Sequence, residues 1–420
     1  MKQPLSASGP LAALSVASFR WLFAGNFAFF AIIQGQFITR VFLAWELTQE
    51  ERSLAILSVT VAIPMLIASL FGGALADRLN RRHLILFGQG LLLGTECFVF
   101  YELLNNNLQF WHLLVGSVVN GLAYPIIMPA RMAMVHQLVG HSLFTNAMAL
   151  SNSVVNVTRV AGPAVIGWVL DVGGATQAYG VGLFLHVVAW LCVLMLPSYT
   201  PSRHNLKPLL QDTIEGFKYV GSSRPIRILV GFGFIAMMLA APVQNLFVVF
   251  TDEVWTVGEG GFGILVAATG VGGVFGSFWV AYRGDRSSKV RSMMVGTLLF
   301  CALMVGFSQA SNFWVAAGFL VLATIFVNIS TTNNNTLALN LCEDSMRGRV
   351  SGVLGMSFGL SPLGVLPLAF FSEQFGVQQA VTIVSVSLGL LAVLVYVFSP
   401  TLRLMDKRAR QNVKKLQRDA

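Results

Sequence analysis

The sequence predicts an all-α membrane protein that crosses the bilayer about twelve times, in two pseudo-symmetric six-helix bundles. Three observations predict it: apolar runs of bilayer length, basic residues confined to one side, and landmarks that recur in the same order at half the chain length.

The apolar runs come first. Hydrophobic residues make up 55% of the 420 positions and charged residues only 11%, against about 25% charged in soluble domains. A water-soluble fold has no interior large enough to hide that surface. A spanning helix needs about 20 apolar residues. Runs with few or no charges fall at 19–45, 53–76, 83–104, 110–130, 145–170 and 177–197, then at 228–251, 260–282, 291–308, 313–341, 350–372 and 377–399. The charge-free stretch from Ser292 to Cys342 is too long for one span, and the turn formers from Ser308 to Asn312 divide it. The runs define an amino-terminal bundle (1–197), a linker (198–224), a carboxy-terminal bundle (225–400) and a basic tail (401–420). Residues Asp212 to Val220 of the linker read as a short amphipathic helix on the membrane surface.

With both termini inside, all but three of the 27 Lys and Arg fall on the cytoplasmic side. Arg52 faces out, and Arg40 and Arg159 lie within spans. That asymmetry is the positive-inside pattern, and it accounts for the net charge of +9 without a nucleic-acid partner. The basic tail suits the anionic inner leaflet. Cys97, Cys192, Cys301 and Cys342 show no CxxC or Cys/His spacing, so neither a disulfide frame nor a metal site is expected. No cleavable signal peptide is evident, because the first apolar run is a full span.

The repeat is written in the loops. Asp77-Arg78-Leu79-Asn80-Arg81-Arg82 follows the second run, and Asp285-Arg286-Ser287-Ser288-Lys289-Val290-Arg291 follows the eighth, 208 residues later. Gly162-Pro163 in the fifth run is echoed by Ser361-Pro362 in the eleventh. Six spans return the chain to its starting side, so the copies share orientation. Parallel repeats of this kind are expected to place a substrate site near the midplane, between the halves.

Gly73-Ala74-Leu75-Ala76-Asp77-Arg78-Leu79-Asn80-Arg81-Arg82 resembles the GxxxDRxGRR signature of the major facilitator superfamily, in its usual place between helices 2 and 3. Asn80 stands where the family prefers Gly, and Asn tolerates the left-handed backbone of a tight turn. The resemblance implies a latch: Gly73 allows close helix approach, Asp77 meets helix 11 near Arg347 and Arg349, and Arg78, Arg81 and Arg82 complete the charge set. Pro129-Ala130-Arg131, Asn156-Val157-Thr158-Arg159, Arg347-Gly348-Arg349-Val350 and Ser361-Pro362-Leu363-Gly364 look like the bacterial drug-efflux branch that includes enterobactin exporters and macrolide efflux proteins. Gly162-Pro163-Ala164-Val165-Ile166-Gly167 is close to that branch's antiporter motif GPxxGG, with Ile166 replacing a Gly. Read without the family, the same segment is a proline kink with small-residue packing.

An ionisable residue inside a span costs at least about 2.5–3.5 kcal/mol, so each is a functional candidate. Arg159 lies about 21 Å along the fifth span, and serves substrate or proton coupling or meets a structural partner. Glu96 in the third span either carries a proton or is the fixed partner of Arg40 or Arg159. Arg40 snorkels outward, binds an anionic substrate or pairs with Glu96. Uncharged polar residues cluster on the helices that line the cavity in the family: Asn26 and Gln34, Asn152 and Asn156, Gln244 and Asn245, and Asn328, Thr332, Asn333 and Asn335. They are read as substrate contacts in a wet cavity, with interhelical hydrogen bonding as the plainer account.

The expected function is proton-coupled export of an amphipathic small molecule (siderophore, antibiotic or drug) by alternating access in a bacterial inner membrane, by a monomer without cofactor. The alternative is an importer or facilitator of a polar metabolite, and a scaffold or receptor also fits the composition. An embedded enzyme has no support: HExxH, GxSxG and the phosphate loop are absent. His136 and His141 fall in a loop, and His112 and His186 are isolated in sequence.

Overall fold

The computed structural model describes residues 11–198, 209–283, 288–343 and 346–403, and these are helical with short connections. Helices α1 (Ala17–Thr48), α2 (Glu51–Arg78) and α3 (Arg81–Leu104) are followed by a continuous helical stretch, Phe110–Leu194. Two glycines divide that stretch. Gly140 (φ 67°) and Gly174 (φ 72°) hold a backbone that L residues with a Cβ avoid, so they end one span and begin the next. The result is α4 (110–139), α5 (141–173) and α6 (175–194). Helix α7 (Leu209–Ser222) covers the stretch read as amphipathic. Then come α8 (224–254), α9 (Gly258–Arg283), α10 (Lys289–Gln309), α11 (Phe313–Asn340), α12 (347–375) and α13 (Val377–Phe398). With α7 set aside, twelve helices remain, as the apolar runs predict.

Ten helical stretches of the described residues are individually long and apolar enough to cross a membrane. One of them, Asn146–Leu194, contains both α5 and α6. Helix α12 is not among the ten; a 3-10 turn at Ser361–Gly364 separates Arg347–Leu360 from Val365–Phe375. Helix α8 is broken in the same way: Arg224–Ala240 passes into a 3-10 turn at Ala241–Leu246 and ends in a π-turn at Phe250–Val254. Each break carries a proline, Pro362 or Pro242, which removes a backbone donor and stops the α ladder.

The chain forms two compact units. The first holds residues up to Gln49, 57–209 and 258–267; the second holds 50–56, 210–257 and 268–420. In the first, α1 packs along 110–194 and α3 along the same stretch. Its core gathers Phe19, Leu22, Phe29, Ile32, Ile85, Ile127, Met134 and Val193. In the second, α10 packs on α11 and α13, around Leu229, Met293, Leu337 and Val350. Between helices in a bilayer little is gained by hiding apolar side chains from lipid, and close backbone approach counts for more. In the first unit Gly35 abuts Ile166, and Gly88 abuts Ile127 and the carbonyl of Ala123.

Asn80 does not take the left-handed turn expected of it. Its φ of −61° and ψ of 115° are extended, and its Oδ1 accepts hydrogen bonds from the backbone of Arg82 (3.1 Å) and His83 (3.4 Å). It is the N-cap of α3. Asn suits either role, and two otherwise unpaired backbone donors decide between them.

Candidate functional site

The first unit carries a buried polar network in an apolar interior. Arg40 of α1 is 6% exposed and Glu96 of α3 fully buried. Arg40 Nη2 donates to Glu96 Oε1, closing an ion pair between the two helices. Of the partners the sequence offers Glu96, Arg40 is therefore the one it meets, and Arg40 does not snorkel outward. Among the described residues, Arg40 Nε and Glu96 Oε2 have no hydrogen-bond partner. Tyr179 of α6 lies beside both charges, and Gly116 of α4 lets that helix approach the guanidinium.

Two residues extend the network beyond the sequence reading. His186 of α6 is isolated in sequence but not in space. Its Nδ1 lies 3.4 Å from Gln36 Nε2, and it is within electrostatic range of both Arg40 and Arg131. Arg131 is assigned by sequence to the inner side, past the end of the fourth run. Helix α4 instead continues to residue 139 and buries Arg131 at 3% exposure. Its Nη1 donates to Asn26 Oδ1, and its guanidinium carbon sits 4.2 Å from the centre of the Phe29 ring. Asn26, expected to contact substrate, is thus buried and engaged by Arg131. The signal available in sequence was Pro129-Ala130-Arg131 at the end of an apolar run, but its partners lie about a hundred residues earlier.

Helix α5 presents three distinct faces. Ser151, Val154, Thr158, Gly162 and Ile166 are buried. Val157 and Trp168 are 52% and 63% exposed on an apolar face. Asn152, Asn156 and Arg159, spaced four and three apart, share a third face and are also exposed. Exposed amides and a guanidinium beside an apolar exposed face separate a wet side from a lipid side. Arg159 has Tyr124 of α4 within electrostatic range. Gln34 is half-buried on α1, where its Cβ and the Ala31 carbonyl face Gly162. Gly167 packs against the backbone of Gly263 in α9, where an added Cβ would lie 2.5 Å from the Gly263 Cα. Pro163 supplies a carbonyl to the same contact.

In the second unit the expected contacts are neutral, and two of them bond within their own helices. Asn245 Nδ2 donates to the Pro242 carbonyl at 3.2 Å, and Asn333 Nδ2 to Ile329 O at 2.7 Å. Asn328 Oδ1 accepts from Ser277 Oγ at 3.2 Å. Gln244, Thr332 and Asn335 are half-buried.

The latch is described in part. Gly73 and Asp77 belong to α2, but their side chains lie outside the described residues, as does the second copy of the motif around Asp285. Arg78 is exposed. Arg81 Nη1 donates to Ala133 O (3.4 Å) and Arg82 Nη2 to Leu194 O (2.7 Å), so both bind carbonyls near the ends of α4 and α6, where cations are favoured. In the second unit Arg349 Nη1 is 2.9 Å from Glu215 Oε2 of α7, a pairing the sequence reading did not foresee. Arg347 Nε reaches Leu339 O at 3.4 Å.

With this geometry in place, comparison with known proteins adds an identity. Residues 8–419 match the model of a family described as transmembrane secretion effector. The chain is 22% identical over 403 residues to the staphyloferrin A transporter of Staphylococcus aureus, covering 94% of this chain and 99% of that one. It is 24% identical over 387 residues to the multidrug efflux pump Tap of Mycolicibacterium fortuitum (89% and 94%). It is 25% identical over 311 residues to the enterobactin exporter EntS of Shigella boydii (72% and 74%). Among solved structures, the nucleoside transporter NupG superposes with a TM-score of 0.75 at 14% identity, over 91% of this chain and all of that one. That similarity speaks for the fold alone.

Proposed function

The chain belongs to the transmembrane secretion effector family of major facilitator transporters, and from that premise we propose that it exports an amphipathic small molecule of the siderophore, antibiotic or drug kind in exchange for protons. It would sit in a bacterial inner membrane with both termini cytoplasmic and work by alternating access. The names of two of the relatives, a multidrug efflux pump and an enterobactin exporter, support export. The observation that carries proton coupling is the buried Arg40–Glu96 pair.

Protonating Glu96 removes the counter-charge of Arg40 in a low-dielectric interior. A bare buried guanidinium is strongly disfavoured, so the two protonation states stabilise different arrangements of α1 and α3. A proton acts here as a ligand that shifts a conformational equilibrium by its differential affinity. The exposed Asn152–Asn156–Arg159 face supplies polar contacts for the solute.

Direction and coupling are tested together in everted vesicles with ethidium as the probe. Under an imposed proton gradient wild type should accumulate the dye. Glu96→Gln should lose gradient-driven accumulation while keeping dye counterflow. Accumulation in right-side-out vesicles instead would make the protein an importer. Unchanged pH dependence in Glu96→Gln would remove Glu96 from coupling.

A further inference from the structure

The ion pair accounts for Arg40 but leaves the second buried guanidinium without an anion. Arg131 is 3% exposed and sits on α4 between core positions: Ile127, Ala130, Met134 and Val135 belong to the apolar cluster around it. It forms no ion pair with any described residue. Its three polar features are used unequally. Nη1 donates to Asn26, and the flat face rests on Phe29. Nε and Nη2 meet no hydrogen-bond acceptor among the described residues.

Those two groups form one edge of the guanidinium. Their N–H bonds are parallel, and the spacing matches the two oxygens of a carboxylate, which accepts both at once. Asn26 fixes the opposite end and Phe29 fixes the plane, so the edge is oriented before any ligand arrives. Unsatisfied donors on a buried cation are costly. An anion that accepts both hydrogen bonds neutralises the charge as well, whereas a neutral acceptor relieves only part of the cost. Arg rather than Lys suits this use, because lysine offers a point charge without a fork.

We propose that the Nε–Nη2 edge of Arg131 is a carboxylate-binding site of the transport pathway, and that the exported solutes include amphipathic carboxylic acids. The proposal rests on the export reading for its biological meaning, but the binding chemistry stands apart from it. The apolar residues around Arg131 and the Phe29 ring favour an acid carrying an aromatic or aliphatic body over a small hydrophilic anion.

The test uses the purified full-length protein in phosphatidylcholine nanodiscs. Naphthalene-1-acetate is compared with its neutral amide, and affinity is read from the rise in melting temperature with concentration. The two probes share shape and differ in charge. Wild type should bind the acid at least about tenfold more tightly than the amide, the difference expected of a charge-assisted pair. Arg131→Met should bind both alike, and Arg131→Lys should lose most of the preference. Equal binding of acid and amide by wild type overturns the proposal, and needs no variant to fold. Full preference in Arg131→Lys overturns the two-donor edge. Loss of the acid's effect when phosphatidylglycerol enters the nanodisc assigns the edge to a lipid headgroup and overturns the solute site. Ethidium accumulation in everted vesicles is scored separately. If wild type moves no dye yet discriminates acid from amide through Arg131, the export reading fails and the anion site stands.

Discussion

The Arg40–Glu96 pair permits a quantitative test of whether charge inside the bundle holds it together or serves another purpose. The perturbation is a cycle of Arg40→Met, Glu96→Leu and the double variant. Both side chains are essentially excluded from solvent, at 7% and 1% exposure, so removing one strands the other in an apolar interior. Breaking a buried pair in this way costs about 3–5 kcal/mol, whereas replacing both members with apolar residues of similar size is often neutral or stabilising by about 1–4 kcal/mol. The singles should therefore each lose several kcal/mol, and the double variant should recover nearly all of it. The geometry supports the stronger version: Arg40 Nε and Glu96 Oε2 have no hydrogen-bond partner among the described residues, which leaves part of their desolvation cost unrecovered there. Reversible unfolding in bicelles, followed by tryptophan fluorescence, measures the four stabilities. Transport in the stable double variant then separates the two roles, since a pair kept for coupling leaves a folded protein without gradient-driven accumulation. Singles that each cost less than about 1 kcal/mol, the value of a solvated pair, would refute the reasoning.

Two further predictions concern local structure. Asn80→Ala should destabilise α3 by about 1 kcal/mol and Asn80→Gly by only a few tenths, because Gly is a tolerable N-cap; no loss in Asn80→Ala, measured by the same unfolding assay, would mean that the cap bonds to Arg82 and His83 are worth nothing. Gly167→Val should cost about 1–3 kcal/mol by overpacking, since even a Cβ would lie 2.5 Å from the Gly263 Cα, and should depress ethidium transport. Normal transport by that variant would show that the Gly167–Gly263 approach is dispensable.

How much of this was legible in the sequence depends on whether the cause was local. The bilayer dictates span length, so the apolar runs marked the helices well, and even the break between α10 and α11 fell among turn formers, with Asn312 capping α11 through Trp314 and Val315. Glu96 and Arg40 were legible because a charge in a long apolar run stands out. Arg131 was not. It follows an apolar run, and the residues after it, His136 among them, read as the inner loop; the structure corrects this, because the helix continues to residue 139. What settles the matter is Gly140, whose left-handed φ places the helix end nine residues further on. Its partners Asn26 and Phe29 lie on another helix, so no spacing rule connects them. His186 was invisible for the same reason, its contact with Gln36 spanning 150 positions. Arg349 was assigned to a latch by its motif, but its partner Glu215 belongs to a helix outside the motif.

The distribution of buried charge makes the two units physically unlike. Arg40, Glu96 and Arg131 are buried in the first unit and sum to one uncompensated positive charge. In the second, the buried charge among the described residues is Glu51, in the first turn of α2, where the helix dipole favours a carboxylate. Elsewhere that unit relies on neutral pairs, Thr297 with Ser330 at 2.7 Å and Ser308 with Thr382 at 2.8 Å. Such bonds are worth about 0.6 kcal/mol in a membrane bundle, and their strength does not depend on pH. The Arg40–Glu96 pair and Arg131 lie in the same unit. His186 lies within electrostatic range of both Arg40 and Arg131. An anion on Arg131 and a proton on Glu96 would each alter the field the other experiences. By linkage, whatever one does to the affinity of the other is returned in equal measure.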